Sequence, residues 1–388
     1  MTPSARVQAA IEILDEVIAS ARDNGPPADL VVQRYFKTRR YAGSKDRRAV
    51  RELVYRAIRR SGERPDSGRS AMLGLEDEAQ RFDGSAHGPA GRGAGEEAAP
   101  ASLIPAWAVA ELSSLVGEEE WPALLERAPL DLRANIARTG RDALLPLFEG
   151  AEPTRLSPWG LRLPPDSRID DHPAFVDGLV EVQDEGSQLI ALACAPESGM
   201  TILDLCAGAG GKALALAAAA PGATIIATDT NRQRLAQLAP RAGRAGAAIS
   251  TRLLDGGREA GQLADLEGQC DVVLVDAPCS GSGTWRRSPE GRWRLNPARL
   301  DHYVATQARL LDLAAPLVKP GGSLVYAVCS LFTREGAGQA GDFLGRHSSW
   351  MVQDLPFDGG RADGTGRLLT PGHDFTDGFF VARLGLLC

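Results

Sequence analysis

Cys279 and Cys329 are the residues of this chain from which chemistry can be read most directly. Each follows an apolar run. Asp271–Val275 leads into Asp276-Ala-Pro-Cys279-Ser-Gly-Ser-Gly, and Ser323–Val328 leads into Cys329-Ser. Both runs have the length and apolar content of buried strands. Neighbouring strands lie about 4.8 Å apart, so adjacent strands of one sheet would bring the two thiols side by side at one edge. A lone cysteine after a strand is usually a small buried hydrophobe, whereas two thiols beside an acid suit methylation at carbon 5 of a pyrimidine. Thiolate addition at carbon 6 makes an enamine, and carbon 5 can then attack a sulfonium methyl. Loss of the carbon-5 proton and expulsion of the thiol complete the cycle. A second thiol can assist release, and Asp276 is placed to hydrogen-bond the ring nitrogens.

A second constellation lies at Thr201–Ala213, TILDLCAGAGGKA. It reads as a buried strand, a glycine turn and the start of a helix, the place where open α/β sheets hold nucleotide-like ligands. A phosphate loop of the Walker type is excluded, because Cys206 and Ala213 stand where Gly and Ser or Thr are needed. Gly208-x-Gly210-x-x-Ala213 fits a dinucleotide fingerprint, with Asp229 after the next strand on a ribose hydroxyl. S-adenosylmethionine also carries an adenosine that an acid can grip. Asp204 would repel a pyrophosphate yet suits a cationic amino-acid group. The glycine pattern leaves both ligands open, and a dinucleotide gives the cysteine pair no role. Lys212 sits at a helix N-terminus, where the macrodipole disfavours a cation, so it is read as reaching into the site.

The elements that must position these residues form a regular α/β series. Gln188–Ala195 reads as a helix before the first strand. Strands follow at Thr224–Thr228, Ile249–Leu254 (ending at Asp255), Asp271–Val275 and Ser323–Val328, with helices at Arg232–Arg244 and Asp301–Val318. Met351–Leu355 and Gly378–Leu384 read as a closing hairpin. Strands in series ending in an acid or a cysteine make a doubly wound sheet with its ligands at the carboxyl edge.

Before this domain, residues 105–185 read as a small α/β module. Helices are expected near Trp107–Leu115, at Trp121–Arg127 and from Asp142, and a strand at Leu130–Ala137 puts Arg133 and Asn135 on one face, toward substrate or solvent. Residues 1–60 read as helices with Val7, Ile11, Leu14 and Ile18 on one face. Between Arg34 and Arg60 there are eleven Lys or Arg against Asp46 and Glu52, interleaved with Tyr35, Phe36 and Tyr41. This is either a solvated helix face or a phosphate-contacting surface. Residues 61–104 are rich in Gly, Ala and charge, a composition that suggests a mobile loop or linker.

With 388 residues the chain has room for two or three domains. Its 44% apolar and 24% charged content is that of a soluble globular protein. A net charge of −7 argues against indiscriminate nucleic-acid binding but leaves local basic patches open. The sequence shows no secretory signal and no apolar run of membrane length. Six scattered cysteines predict free thiols and a reducing, cytoplasmic setting rather than a disulfide framework.

The motifs VQDEGSQL, DLCAGAGGK, DAPCSGSGTWRRSPEGRWRL, KPGGSLVYAVCS and TDGFF resemble the RsmB/Sun-like family of RNA cytosine-5 methyltransferases from about residue 130 onward. Residues 1–60 resemble a NusB-like helical RNA-binding domain. The resemblance implies a Rossmann-like doubly wound methyltransferase domain over 186–388, seven-stranded with a C-terminal hairpin. Before it would come an all-α NusB-like domain with a Gly/Ala-rich linker at its end (1–104) and a small α/β RNA-binding module (105–185). It implies Cys329 as nucleophile, Cys279 as the release cysteine, and Asp276 and Lys212 in catalysis. S-adenosylmethionine contacts would fall on Cys206, Ala207, Gly208, Ala209, Gly210, Gly211, Lys212, Asp229, Asp255 and Asp276, with no metal. The substrate implied is structured RNA, small-subunit 16S ribosomal RNA above all, acted on by a monomer with no membrane association. The sequence departs from the family pattern at Ala209, Ala213, Val328 and Arg334-Glu-Gly-Ala. The rival reading is a catalytically silent RNA-binding or ribosome-assembly factor, but such a relative would be expected to lose a thiol or an acid, and both are kept.

Overall fold

The first helix begins where Thr2 accepts the Ala5 N–H at 3.2 Å and Pro3 supplies a preset φ. This helix, α1 (Pro3–Arg22), buries Val7, Leu14 and Val17. In the computed structural model, which describes residues 1–387, it belongs to the first of two compact units: Met1–Glu111, Trp121–Glu126 and Thr284–Pro297. It also holds α2 (Ala28–Thr38), α3 (Ser44–Arg60), α4 (Gly68–Leu73) and the one-turn helix Ala106–Val109. Residues 61–104 are more than the linker their composition suggests. Ser67 and Ser70 form a reciprocal cap on α4, and Met72, Leu73, Leu75 and Phe82 join the helical core. A few well-placed apolar residues suffice, with Arg69 held between Glu96 and the Gly91 carbonyl.

The segment 284–297 has the basic, aromatic composition of an RNA contact at the sheet edge. It is instead a core strut of the helical unit. Arg292, 1% exposed, donates to the Ile58 carbonyl at the end of α3 (2.6 Å) and to Leu103 and Pro289. Glu290 accepts the Ala28 N–H at the start of α2 (3.0 Å). A cation thus meets a helix C-terminus and an anion a helix N-terminus, as the macrodipoles favour. Trp293 donates to the Ser61 carbonyl at 2.8 Å and packs in the helical core, and Trp285 is 1% exposed.

The second unit comprises Leu112–Glu120, Arg127–Gly283 and the chain from Ala298. It opens with strands β1 (Leu130–Ala134), β2 (Glu152–Pro153), β3 (Gly160–Leu163) and β4 (Val180–Val182), an antiparallel sheet in the order β2-β3-β1-β4. The expected helices before it are short: Ala106–Val109 and a 3-10 stretch Glu118–Leu124 interrupted by Pro122. Arg133 and Asn135 face neither substrate nor solvent. Arg133 donates to Gln183 at 2.7 Å, and Asn135 donates to the carbonyls of Gly178 and Ala245. The QDEGSQ run is also structural. Glu185 accepts the N–H groups of Leu156 and Ser157, while Gln188 bridges Ser157, Leu132 and Gln183.

The large sheet contains β5 (Thr201–Asp204), β6 (Thr224–Asp229), β7 (Ile249–Leu253), β8 (Cys270–Asp276), β9 (Val318–Val328), β10 (Trp350–Gln353), β11 (Arg361–Asp363), β12 (Gly366–Leu369) and β13 (Phe379–Leu386). Its order is β11-β12-β13-β9-β8-β5-β6-β7, with β10 also on β13. The strands from β7 to β9 are parallel, and β13 is antiparallel to β9. From β5 the chain winds first toward β7 and then, through β8, the other way. The carboxyl ends of β5 and β8 therefore flank the topological switch point, the position at which such sheets bind ligands. The central strands are buried on both faces, as Leu203, Val273 and Val325 show at 0% exposure.

Among the described residues the sheet has nine strands rather than the expected seven. Residues 361–369 form an added hairpin whose two-residue turn is Gly364-Thr365, between the paired Asp363 and Gly366, with Gly364 at φ +56°. Two-residue hairpin turns need positive φ at their first position, which favours glycine there. β12 and β10 share one edge of β13, so the two expected closing strands do pair, though not consecutively.

Candidate active site

The glycine turn after β5 is built by conformation as much as by openness. Gly208 and Gly210 have φ +55° and +80°, values that favour glycine. A Cβ on Gly208 would meet the Arg234 guanidinium, and one on Gly210 would meet the Leu238 side chain. The bare sides of these glycines are thus occupied by the protein's own side chains. Asp229 at the end of β6 accepts the Gly208 N–H at 2.8 Å and the Asn231 N–H at 2.6 Å, which fixes the turn. Arg241 donates to the Ala209 carbonyl. Cys206 and Ala207 are half-buried beside it, and Gly211 opens the helix Gly211–Ala219.

Asp204 ends β5 at 1% exposure, and neither carboxylate oxygen completes a hydrogen bond. Burial, reinforced by the negative Asp276, pushes its carboxyl up to about 7. A buried acid with no partner is costly, and a cationic ligand group at this edge would answer it. That orphaned pair of oxygens, with the ordered glycine turn, fits an amino-acid-bearing adenosine ligand. Asp255 differs: it is exposed, two residues past β7, and tied to Gln262.

Asp276 ends β8, and its Oδ2 accepts from Lys212 Nζ at 2.7 Å. Lys212 is 9% exposed, its Nζ lying 5.6 Å from the Phe379 ring centroid. Burial alone would favour its neutral form, but the charge and hydrogen bond of Asp276 outweigh this and hold the ammonium above its ordinary value. The Asp276 side chain keeps 29% exposure and is reachable from the edge.

Three residues on, Cys279 Sγ stands 3.3 Å from Cys329 Sγ, which follows β9 directly. The contact with Cys329, and then burial, push the Cys279 thiol well above its usual range, and either sulfur can be the donor in this pair. Among the described residues no group of His, Cys, Asp or Glu is arranged to hold a metal.

Sequence reasoning missed Glu335. It is fully buried and binds the residues that follow both cysteines: Ser280 N–H at 2.9 Å and Ser330 Oγ at 2.6 Å. Gln307 Nε2 adds a third donor at 2.9 Å. Ser282 completes the link through Ser330 Oγ and the Leu331 N–H. Its neighbours Thr333, Arg334 and Gly336 form no apolar pattern, so the sequence offered no signal beyond its place six residues after Cys329.

A family model described as 16S rRNA methyltransferase RsmB/F matches residues 191–385. The ribosomal RNA small subunit methyltransferase B of Salmonella arizonae is 36% identical over 290 residues, 73% of this chain and 66% of that protein. The chain thus spans just under two thirds of such curated relatives. In fold it is similar to the PH0851 protein, with a TM-score of 0.76 at 22% identity over 99% of both chains. It is also similar to NSun6 from Pyrococcus horikoshii solved with SFG, with a TM-score of 0.63 at 20% identity over 73% of this chain and 98% of that one. No helix among the described residues is long and apolar enough to cross a membrane. With half of its length under the family model and the methyltransferase sheet beneath it, the chain belongs to the RsmB/F family of S-adenosylmethionine-dependent 16S rRNA methyltransferases.

Proposed function

We propose that this protein methylates carbon 5 of a cytosine in structured RNA, small-subunit 16S ribosomal RNA being the substrate class, through a covalent bond between Cys329 and the base. The observation that carries this reading is the 3.3 Å thiol pair at the sheet edge that also holds the Lys212–Asp276 pair. S-adenosylmethionine, held by Cys206–Lys212, Asp229, Asp255 and Asp276, would supply an electrophilic methyl group. The chain's own residues do the rest. Cys329 Sγ, as thiolate, bonds to carbon 6 of the cytosine, and electron density passes to carbon 5. Asp276 accepts from the exocyclic amino group or a protonated ring nitrogen, and Lys212 balances its charge. After methylation a solvent water takes the carbon-5 proton, the carbon–hydrogen pair becomes the carbon 5–carbon 6 double bond, and the carbon 6–sulfur pair returns to Cys329 as the thiolate. Cys279, whose sulfur stands 3.3 Å from that of Cys329, assists this release.

RNA would be gripped in part by the helical unit. Its residues 1–104 would act as a NusB-like RNA-binding domain and residues 105–185 as a second RNA-binding module. The basic stretch leaves Arg34, Lys37, Arg40, Lys45 and Arg48 exposed, whereas Tyr35 and Phe36 belong to the core. We place the protein in the cytoplasm as a monomer. The test is incubation with small-subunit ribosomal RNA and labelled S-adenosylmethionine, followed by nucleoside analysis. Labelled 5-methylcytidine supports the reading; RNA binding with no label incorporated would favour a silent assembly factor.

A further inference from the structure

Phe375 combines three properties that seldom coincide in an aromatic residue. Its φ is +63°, a left-handed backbone that bulky side chains avoid. The residue is 42% exposed. The guanidinium of Arg155, itself exposed, lies over the Phe375 ring with Cζ 3.8 Å from the centroid. The turn that carries it is over-determined. Asp374 accepts the N–H groups of Thr370 and Gly360 at 2.9 and 2.8 Å, and the Asp377 N–H is held by both oxygens of Asp184. Strain maintained in this way clusters at functional sites. The turn is also tied to the thiol edge: the Gly378 N–H donates to the Gly283 carbonyl at 2.8 Å, and the Gly283 N–H to the Cys329 carbonyl at 3.0 Å. Folding alone would favour burying the ring and placing Gly or Asn at this φ.

We propose that Phe375 and Arg155 form a stacking platform for an unpaired base of the RNA that flanks the target cytosine. The inference rests on the RNA-methylating function proposed above. Single-stranded bases stack on aromatic rings and on guanidinium planes, and the Arg155 charge also suits the adjoining phosphate. A base pulled from its neighbours for reaction at Cys329 leaves a flanking base unstacked, and a planar cationic surface tethered to the Cys329 backbone is suited to receive it.

The variant Phe375→Gly separates the platform from a structural role, because glycine relieves the strain and should fold at least as well as the parent. In full-length protein it is expected to raise KM for RNA by at least about fivefold, the lower bound for a base deprived of its aromatic platform, with kcat and calorimetric S-adenosylmethionine affinity at parental values. Arg155→Met should shift KM the same way, and Phe375→Tyr should restore the parental value. A parental KM in Phe375→Gly, or a loss confined to kcat, would overturn the platform. Fluorescence of Phe375→Trp, compared with the parent during RNA titration, reads stacking without turnover: quenching is expected, and its absence at saturation is a second refutation. RNA binding and quenching without methylation would sink the proposed function and leave the platform standing.

Discussion

The carboxylate of Glu335 accepts the Ser330 hydroxyl at 2.6 Å, one residue beyond Cys329, and with its other oxygen holds the Ser280 N–H one residue beyond Cys279. Two loops from two paired strands are thereby joined through one buried side chain, next to thiols 3.3 Å apart. Glu335 is a positioning residue, since it touches neither thiol directly. Glu335→Ala is expected to cost about 2–4 kcal/mol of stability, because three donors lose a charged partner. Glu335→Gln should keep the fold while lowering kcat far more than it changes KM for RNA. A Gln variant with parental kcat would show that Glu335 does not position the thiols.

Cys279 should act only after methyl transfer. In Cys279→Ser the RNA is expected to remain bonded to Cys329, seen as a denaturant-resistant band that requires S-adenosylmethionine. If the band needs Cys279 and forms without Cys329, the two roles are exchanged.

Asp204 makes a stability prediction with a definite sign. Its carboxyl titrates near 7 in the folded chain, against about 3.9 for an unperturbed aspartate. Between these values the folded state binds the proton that the unfolded state releases. The stability this contributes is complete below about pH 4 and is lost as pH rises through about 7. Asp204→Asn, which mimics the protonated form, should therefore melt at a higher temperature than the parent at pH 8 and near the parental temperature at pH 4. It should also bind S-adenosylmethionine more weakly. Equal melting shifts at both pH values would show that the carboxyl is not the titrating group.

Much of the site is legible in the sequence because its residues follow strands. A strand's end fixes where the next side chain emerges, so Asp204, Asp229, Asp276, Cys279 and Cys329 can be placed on one edge from the apolar runs alone. Long-range pairing is what the sequence conceals. The Trp285–Arg294 run has the composition of an RNA-binding segment, but Arg292 and Trp293 are committed to carbonyls of Ile58 and Ser61 more than 230 residues away. Arg133 and Asn135 alternate with apolar neighbours as a solvent face would, but a second sheet neighbour and the carbonyls of Gly178 and Ala245 bury them. The hairpin turned at Gly364-Thr365 is signalled only by its glycine, which is hidden among the glycines around it.

The strut leads to a further expectation. Arg292→Met keeps the aliphatic stem but leaves the carbonyls of Ile58, Pro289 and Leu103 without their donor. The helical unit should lose about 2–4 kcal/mol, read as a lower midpoint in urea unfolding followed at 222 nm. An unchanged midpoint would mean that water replaces the guanidinium at no cost.

For RNA binding, the informative charges are those not already committed within the protein. Arg51 is paired with Asp29 at 2.6 Å, and Arg47 donates to the Ala42 carbonyl. Lys45 and Arg48 lie three residues apart on α3, as Arg34 and Lys37 do on α2, and each pair shares a helix face. Reversing these four should lower the slope of log affinity against log salt by about 0.7–0.9 for each phosphate no longer neutralised. A parental slope would make this surface a solvated helix face.

The most direct test of Cys329 as the nucleophile is peptide mapping of the adduct formed with RNA carrying 5-fluorocytosine at the methylated position. Fluorine leaves no proton to remove from carbon 5, so the covalent intermediate cannot resolve. One protein–RNA bond per chain is predicted, located at Cys329 and absent in Cys329→Ala. A bond located at Cys279, or methylation of ordinary RNA by Cys329→Ala at the parental rate, would contradict it.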